Sequence, residues 1–163
     1  MSEEKSQTTA MQTLPMLEQR RIEAQIVKNI YDVLLERHGE KEANKAIEIA
    51  IKKAAIEQGE KFRKLNGKEP SLDDFAQLGK LWEMGGALKR KMHKKTEKHL
   101  EYDITHCAYA DMYKQMGLAK IGHLLSCNRD GTFCIGYNPK MKLTRTQTIM
   151  EGAAHCDFRY ELS

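Results

Sequence analysis

Along the first hundred residues apolar side chains recur every three to four positions, and in the last third the period shortens to alternation. Ile22, Ile26, Val27, Ile30, Val33 and Leu34 make one helical stripe. Pro15 stands at its start, where a missing N–H costs nothing, and His38-Gly39 stops it. A second helix is predicted from about Glu40 on the stripe Ala43, Ile47, Ala50, Ile51, Ala54 and Ala55, whose alanines let a neighbouring helix come close. It ends at Asn66-Gly67, with a break expected at Gly59. Ser71-Leu72-Asp73-Asp74 has the form of a capping box and starts a third helix, with Phe75, Leu78, Leu81 and Trp82 inward. Gly85-Gly86 is read as a kink, after which this helix runs on to about His99.

Beyond Leu100 the pattern predicts a strand over Glu101–Cys107, then short helices at Ala108–Met116, Leu118–Ser126 and Asp130–Tyr137. Asn138-Pro139 makes a turn, Met141–Met150 alternates as a strand, Glu151-Gly152 turns again, and His155–Leu162 is the last strand. Helices first and strands with short helices later imply an α+β fold: N-terminal helices packed on a small antiparallel sheet with short inserted helices. Met1–Thr13 is polar and without period, and is read as a tail. Residues 14–163 then form a single domain, with a helical part over 14–100 and a strand-rich part over 101–163.

Composition narrows the class. The 163 residues are 40% hydrophobic and 31% charged, so a core is possible but not generous. A membrane-spanning helix needs about 20 apolar residues in a row, and the longest apolar runs, such as Ile47–Ile51, are broken by Glu or Lys. No basic-then-apolar leader stands at the start, and the four cysteines fit a reducing compartment, so the expectation is cytoplasmic. The net charge of +4 is uneven: Lys80–Lys98 alone carries seven Lys or Arg against Glu83 and Glu97. A basic helix there would suit phosphates, or would simply be a solvated face. Nothing else resembles a nucleic-acid module, so a small molecule is the expected partner. A homodimer through the alanine-rich helix is left open.

Candidate chemistry lies in the last third. Cys107, Cys127, Cys134 and Cys156 are spaced without any CxxC pair. Adjacent strand residues point to opposite faces. Cys156, Phe158 and Tyr160 therefore share one face and His155, Asp157 and Arg159 the other, while Cys107 falls with Asp103 and Thr105. If the aromatic face is inward, a covering loop would bring Cys107, Cys127 and Cys156 together. Each residue also has a plain alternative. A free cysteine behaves as a small buried hydrophobe, Asp130 would cap a helix, and Arg145 with Asp157 would be an ordinary cross-strand pair.

The stretch from Cys107 to Tyr160 resembles the L-2-amino-thiazoline-4-carboxylic acid hydrolase family. The matching pieces are Cys107-Ala-Tyr-Ala, Met116-Gly117-Leu118, Leu125-Ser-Cys-Asn-Arg-Asp130, Asn138-Pro139, Leu143-Thr-Arg-Thr-Gln-Thr148, Glu151-Gly152 and His155-Cys-Asp-Phe-Arg159. The resemblance implies hydrolytic opening of a cyclic amidine, with L-2-amino-thiazoline-4-carboxylate becoming N-carbamoyl-L-cysteine. It implies catalytic roles among Cys107, Cys127, Asp130, His155, Cys156 and Asp157. Cys127 or Cys156 would be a thiolate nucleophile, His155 a base or proton donor, and Asp130 or Asp157 the partner of the amidinium. Arg129, Arg145 or Arg159 would grip the substrate carboxylate. A second mechanism places zinc on Cys107, Cys127 and Cys156, with Asp130 or a histidine. A non-catalytic sensor or metal-binding domain using the same Cys-lined pocket is the alternative. The site is expected wholly within Cys107–Arg159, under a roof made by the earlier helices with Trp82 the one allowed contributor.

Overall fold

The computed structural model describes residues 14–163, so the tail expected at Met1–Thr13 lies outside it. Helix α1 (Met16–Asn66) is a helical hairpin of two arms, residues 16–38 and 40–66, joined at Gly39. Gly39 has φ 80° and ψ 170°, a conformation that a side chain would strain. The arms lie against each other, with Tyr31 Oη donating to Asn44 Oδ1 at 2.8 Å and Arg20 Nη2 to Gln58 Oε1 at 3.2 Å.

The second arm buries Ala43, Ile47, Ile51 and Ala55 from its expected stripe, while Ala50 and Ala54 stay exposed. The first arm departs from expectation. Its core face is Met16, Arg20, Ala24 and Tyr31, supported by Val27 and Leu34. Ile22, Ile26, Ile30 and Val33 face outward, Ile26 being 62% exposed. The two stripes share a period, and packing on the second arm selects between them.

After Asn66 a capping box closes as expected: Asp74 N–H donates to Ser71 Oγ and Ser71 N–H to Asp74 Oδ2. It starts α2 (Leu72–Leu78), followed by α3 (Lys80–Glu83). The expected long third helix stops here. Gly85 and Gly86 take φ of 71° and 74°, which turns the chain out of the helix instead of kinking it. Residues expected to continue as a basic helix form β1 (Leu88–Lys95). Several of its cations are paired: Arg90 with Glu83, Lys94 with Glu101 and Lys95 with Asp73. β1 is a sheet edge, where lysines deter pairing with another chain.

The rest follows the predicted order with shifted bounds. β2 (His99–Cys107) leads into α4 (Ala108–Gln115), a π-helical turn at His123–Cys127, and α5 (Asn128–Tyr137). β3 (Met141–Thr144) ends earlier than predicted, before a loop, a 3₁₀ turn at Ile149–Glu151, and β4 (Cys156–Leu162). The antiparallel sheet has the order β1-β2-β4-β3, which makes the molecule an α+β fold whose sheet already begins at Leu88. α5 crosses the second arm of α1 at Gly59 and Gly136, and a Cβ on either would strike the other's backbone. Gly59 is therefore a contact point in a continuous helix, not a break. Two core clusters, one under the α1 hairpin and one on the sheet, meet at Trp82, Leu88 and Cys107. Among the described residues no helix is long and apolar enough to cross a membrane.

Candidate active site

The meeting point of the two clusters is not filled. Two adjoining chambers of about 90 and 70 Å³ open there, sharing Arg20, Trp82, Leu88, Ile104, Arg129, Asp130 and Phe158 as walls. Cys107, Cys127 and Cys156 line the smaller chamber with Arg145 and Met150.

Cys156 faces inward because it alternates with Phe158 and Tyr160 on β4. It stands opposite Ile104 of β2. Cys107 reaches the same face by a route that strict alternation does not allow. The β1–β2 register steps from Lys89↔His106 to Arg90↔Ile104, which leaves Thr105 as a bulge. The bulge shifts the alternation by one, so Cys107 points in. Cys127 ends the π-helical turn, and Asp130 follows one turn later on α5.

Arg145 joins these pieces. Its Nη1 donates to Asp130 Oδ2 at 2.5 Å and its Nη2 to the Cys127 carbonyl at 3.0 Å, with the guanidinium 5.0 Å from the Phe158 ring centre. The loop that carries Arg145 is pinned from behind by Asp157, which accepts from Thr146 N, Thr146 Oγ1 and Gln147 N.

Burial dominates the electrostatics. Desolvation raises the Asp130 carboxyl above its usual value, although Arg145, Arg20 and Arg129 oppose it. The 30% of its side-chain surface that stays open faces the chambers it lines. Desolvation likewise pushes the Cys107 thiol up to about 11 and raises Cys127 and Cys156. All three are therefore thiols, not thiolates, at neutral pH. Cys134 is buried in the sheet-side core and lines neither chamber.

Three expected site residues are elsewhere. His155, Asp157 and Arg159 lie on the outer face of the sheet, as β4 alternation requires. His155 meets Gln147, and Arg159 donates to the Tyr102 carbonyl and to Asp103. The expected Arg145–Asp157 pair does not form, since Arg145 turns inward to Asp130. Among the described residues no three His, Cys, Asp or Glu side chains group as metal ligands, so the expected Cys107–Cys127–Cys156 set is not assembled as one.

The helical half contributes more than a roof. Trp82 walls both chambers, and Tyr109, which lines the smaller one, donates its hydroxyl to the Trp82 carbonyl at 3.0 Å. Arg20 of α1, only 2% exposed, reaches both chambers and is held by Glu23 and Gln58. The signal for it is in the sequence: Met16, Arg20, Ala24, Val27 and Tyr31 keep helical spacing, with an arginine on an otherwise apolar line.

These features define an α+β domain with a small enclosed cavity lined by thiols, aromatic rings and a buried Asp–Arg pair. Two solved structures share the fold, each at 11% identity and TM-score 0.52. One is the phenol-responsive sensory domain of the transcription activator PoxR with phenol, covering 82% of this chain and 71% of that one. The other is a trafficking protein particle complex subunit 3 from Naegleria fowleri covalently bound to palmitic acid, covering 89% and 95%. No curated protein is significantly similar in sequence. The profile of the L-2-amino-thiazoline-4-carboxylic acid hydrolase family matches residues 19–160, and the chain belongs to that family.

Proposed function

We propose that the protein is a hydrolase that opens a small cyclic amidine, of the kind of L-2-amino-thiazoline-4-carboxylate, inside the cavity beside Asp130. The observation that carries this reading is a buried carboxylate, held above its usual pKa, on a wall shared with Trp82, Leu88, Ile104, Phe158 and the guanidiniums of Arg20 and Arg129. A carboxylate of raised pKa is a better general base, and the apolar part of the wall strengthens its attraction for a cationic ring. Arg145 opposes that rise and holds the carboxylate in place through its Nη1–Oδ2 bond.

The positively charged amidinium enters against Asp130. One water oxygen bonds to the ring carbon between sulfur and the two nitrogens while its proton passes to Asp130. The tetrahedral centre then collapses: the carbon–sulfur bond breaks, Asp130 returns its proton to the departing sulfur, and the remaining hydroxyl proton passes to solvent water as the carbonyl forms. The products are a carbamoyl group and a free thiol. In the free protein none of the cavity cysteines is an ionised nucleophile.

Incubation with L-2-amino-thiazoline-4-carboxylate should give a product heavier by one water and one new thiol, read by mass spectrometry and thiol titration. Asp130→Asn should lower the rate at least about a hundredfold, or about 2.7 kcal/mol. Unchanged turnover in that variant removes Asp130 from the chemistry.

The raised thiols favour a second reading, a small-molecule sensor that binds without turnover. Two proteins of this fold hold small ligands, phenol in one and palmitic acid in the other. Alkylation separates the readings from a cysteine-nucleophile enzyme. All four cysteines should react with iodoacetamide at pH 7.5 more slowly than free cysteine, with the rate climbing as pH approaches the raised values. A single thiol reacting faster than free cysteine would restore covalent catalysis. Saturable binding without product would favour the sensor.

A further inference from the structure

The cavity walls carry four arginines, and their counter-charges do not balance. Arg145 is matched by Asp130, and Arg90, which lies 4.2 Å from the Tyr102 ring centre, by Glu83. Arg20 and Arg129 have one carboxylate between them. Arg20 Nη1 donates to both Glu23 oxygens at 2.9 Å, and Arg129 Nη2 donates to Glu23 Oε2 at 3.1 Å. Among the described residues Glu23 is the carboxylate that hydrogen-bonds these two guanidiniums, whose side chains are 3% and 11% exposed. Desolvation and the adjacent Arg20 pull the Arg129 pKa down to about 10, the mark of a cation short of counter-charge, although it stays charged at neutral pH.

The position of this pair is as telling as its charge. A third cavity, a cleft of about 490 Å³ between the arms of α1 and the chain around Leu81–Met84, lies outside the chambers. Arg20 and Arg129 line that cleft and both inner chambers, and Gln58 lines the cleft and the larger chamber. Glu23 lines only the outer cleft and is about one-third exposed. The arginines thus stand where the cleft meets the chambers, and the carboxylate that holds them comes from the solvent side. Besides the two arginines, it accepts from Gln19 Nε2 at 3.3 Å.

We infer that Arg20 and Arg129 form a subsite for one carboxylate of the ligand, kept occupied by Glu23 in the free protein, at the passage from the outer cleft to the chambers. The inference rests on reading the cavity as the ligand site and deepens it: the ligand is a small ring carrying a carboxylate. An arriving carboxylate takes the place of Glu23 between the two guanidiniums, where bidentate N–H···O bonds in a desolvated setting are strong. The ring then points past Trp82 towards Asp130. A neutral ring would leave Glu23 in place.

Binding of benzoate and of benzamide to the whole protein, followed by calorimetry, tests this without any need for turnover. The wild-type protein should prefer benzoate at least tenfold. Arg129→Gln should remove the preference, and Arg20→Lys, which keeps the charge, should retain part of it. Glu23→Gln is the deciding variant, because it sits on the accessible side. It should tighten benzoate at least threefold and leave benzamide unchanged, whereas a purely structural Glu23 would lower both affinities or neither. Equal affinity for acid and amide in the wild type, or no gain for benzoate in Glu23→Gln, overturns the subsite. A preference for benzoate in a protein that does not hydrolyse L-2-amino-thiazoline-4-carboxylate would sink the hydrolase reading and keep the subsite. Hydrolysis with no preference for the acid would do the reverse.

Discussion

Asp130 and Arg145 show how much one residue pair can be asked to do. Burial makes the ionised Asp130 unfavourable, and the Arg145 guanidinium opposes that cost without cancelling it. The sign of the pH effect follows. The folded pKa of Asp130 is raised, so between its unfolded and folded values the native state holds more protons. In that window its contribution to stability grows as pH falls. Removing one partner strands the other. Asp130→Asn alone is expected to cost up to about 3 kcal/mol, and adding Arg145→Gln should recover part of it, because a neutral pair carries no stranded charge. Chemical denaturation of the two single variants and the double variant measures this. A double variant that loses the sum of the singles would mean that the pair is not coupled. Both singles should lose ligand turnover, which separates chemistry from stability.

At the scale of elements, close approach matters more than hydrophobicity. Gly59 and Gly136 let α1 and α5 touch backbone to backbone, and a methyl group at Gly136 would meet Ile56 O and Glu60 N. Gly136→Ala is therefore expected to cost at least 1–3 kcal/mol, the usual range for overpacking. Ile26→Glu, on the exposed stripe of the same helix α1, should change the stability of the folded chain by less than about 0.5 kcal/mol. Thermal melts of the two variants side by side test the contrast. If the glutamate is the more damaging change, the assignment of the inner face of α1 is wrong. The period of three to four residues in the sequence announces both helical arms. It does not say which of two parallel stripes goes inside, because Ile22–Ile26–Ile30 and Met16–Arg20–Ala24 have the same spacing and only the partner surface chooses.

For the molecule as a whole, the sheet's outer face and the helix caps set the response to acid. Hydrogen bonds from His93 and Arg159 hold Asp103 below its usual value, those from Ser71 hold Asp74 down, and those from Thr146 and Gln147 outweigh partial burial at Asp157. Groups lowered in the folded state contribute stability above the unfolded carboxylate value of about 4 and lose it as pH falls through the folded values. The share contributed by these three carboxylates should be flat from neutral pH to about 5 and then fall. Asp157→Asn should blunt that fall and also loosen the Arg145 loop. Urea titrations across pH 3–7 give the slope directly, and a protein equally stable at pH 3 and pH 7 would contradict the assignment.

Much of this architecture was legible in the chain. Alternation placed Cys156, Phe158 and Tyr160 inward and His155, Asp157 and Arg159 outward. Ser71–Asp74 announced a cap, and the motif pieces between Cys107 and Arg159 announced the family. These features are local: a strand period, a cap and a turn need only a few neighbouring residues. Other features depended on chain segments far apart in sequence. The basic run Lys89–Lys95 reads as helix or strand until β2 is there to pair with it. Gly85-Gly86 is a kink or an exit until the sheet needs an edge. Cys107 faces inward only because a bulge at Thr105 absorbs a mismatch between two strands. The inward Arg145–Asp130 pair joins residues 15 positions apart, and the Glu23–Arg129 pair joins residues 106 apart. Local composition and periodicity therefore decided the elements and their order, whereas the cavity and its charge balance were decided by the tertiary packing that buries those arginines together.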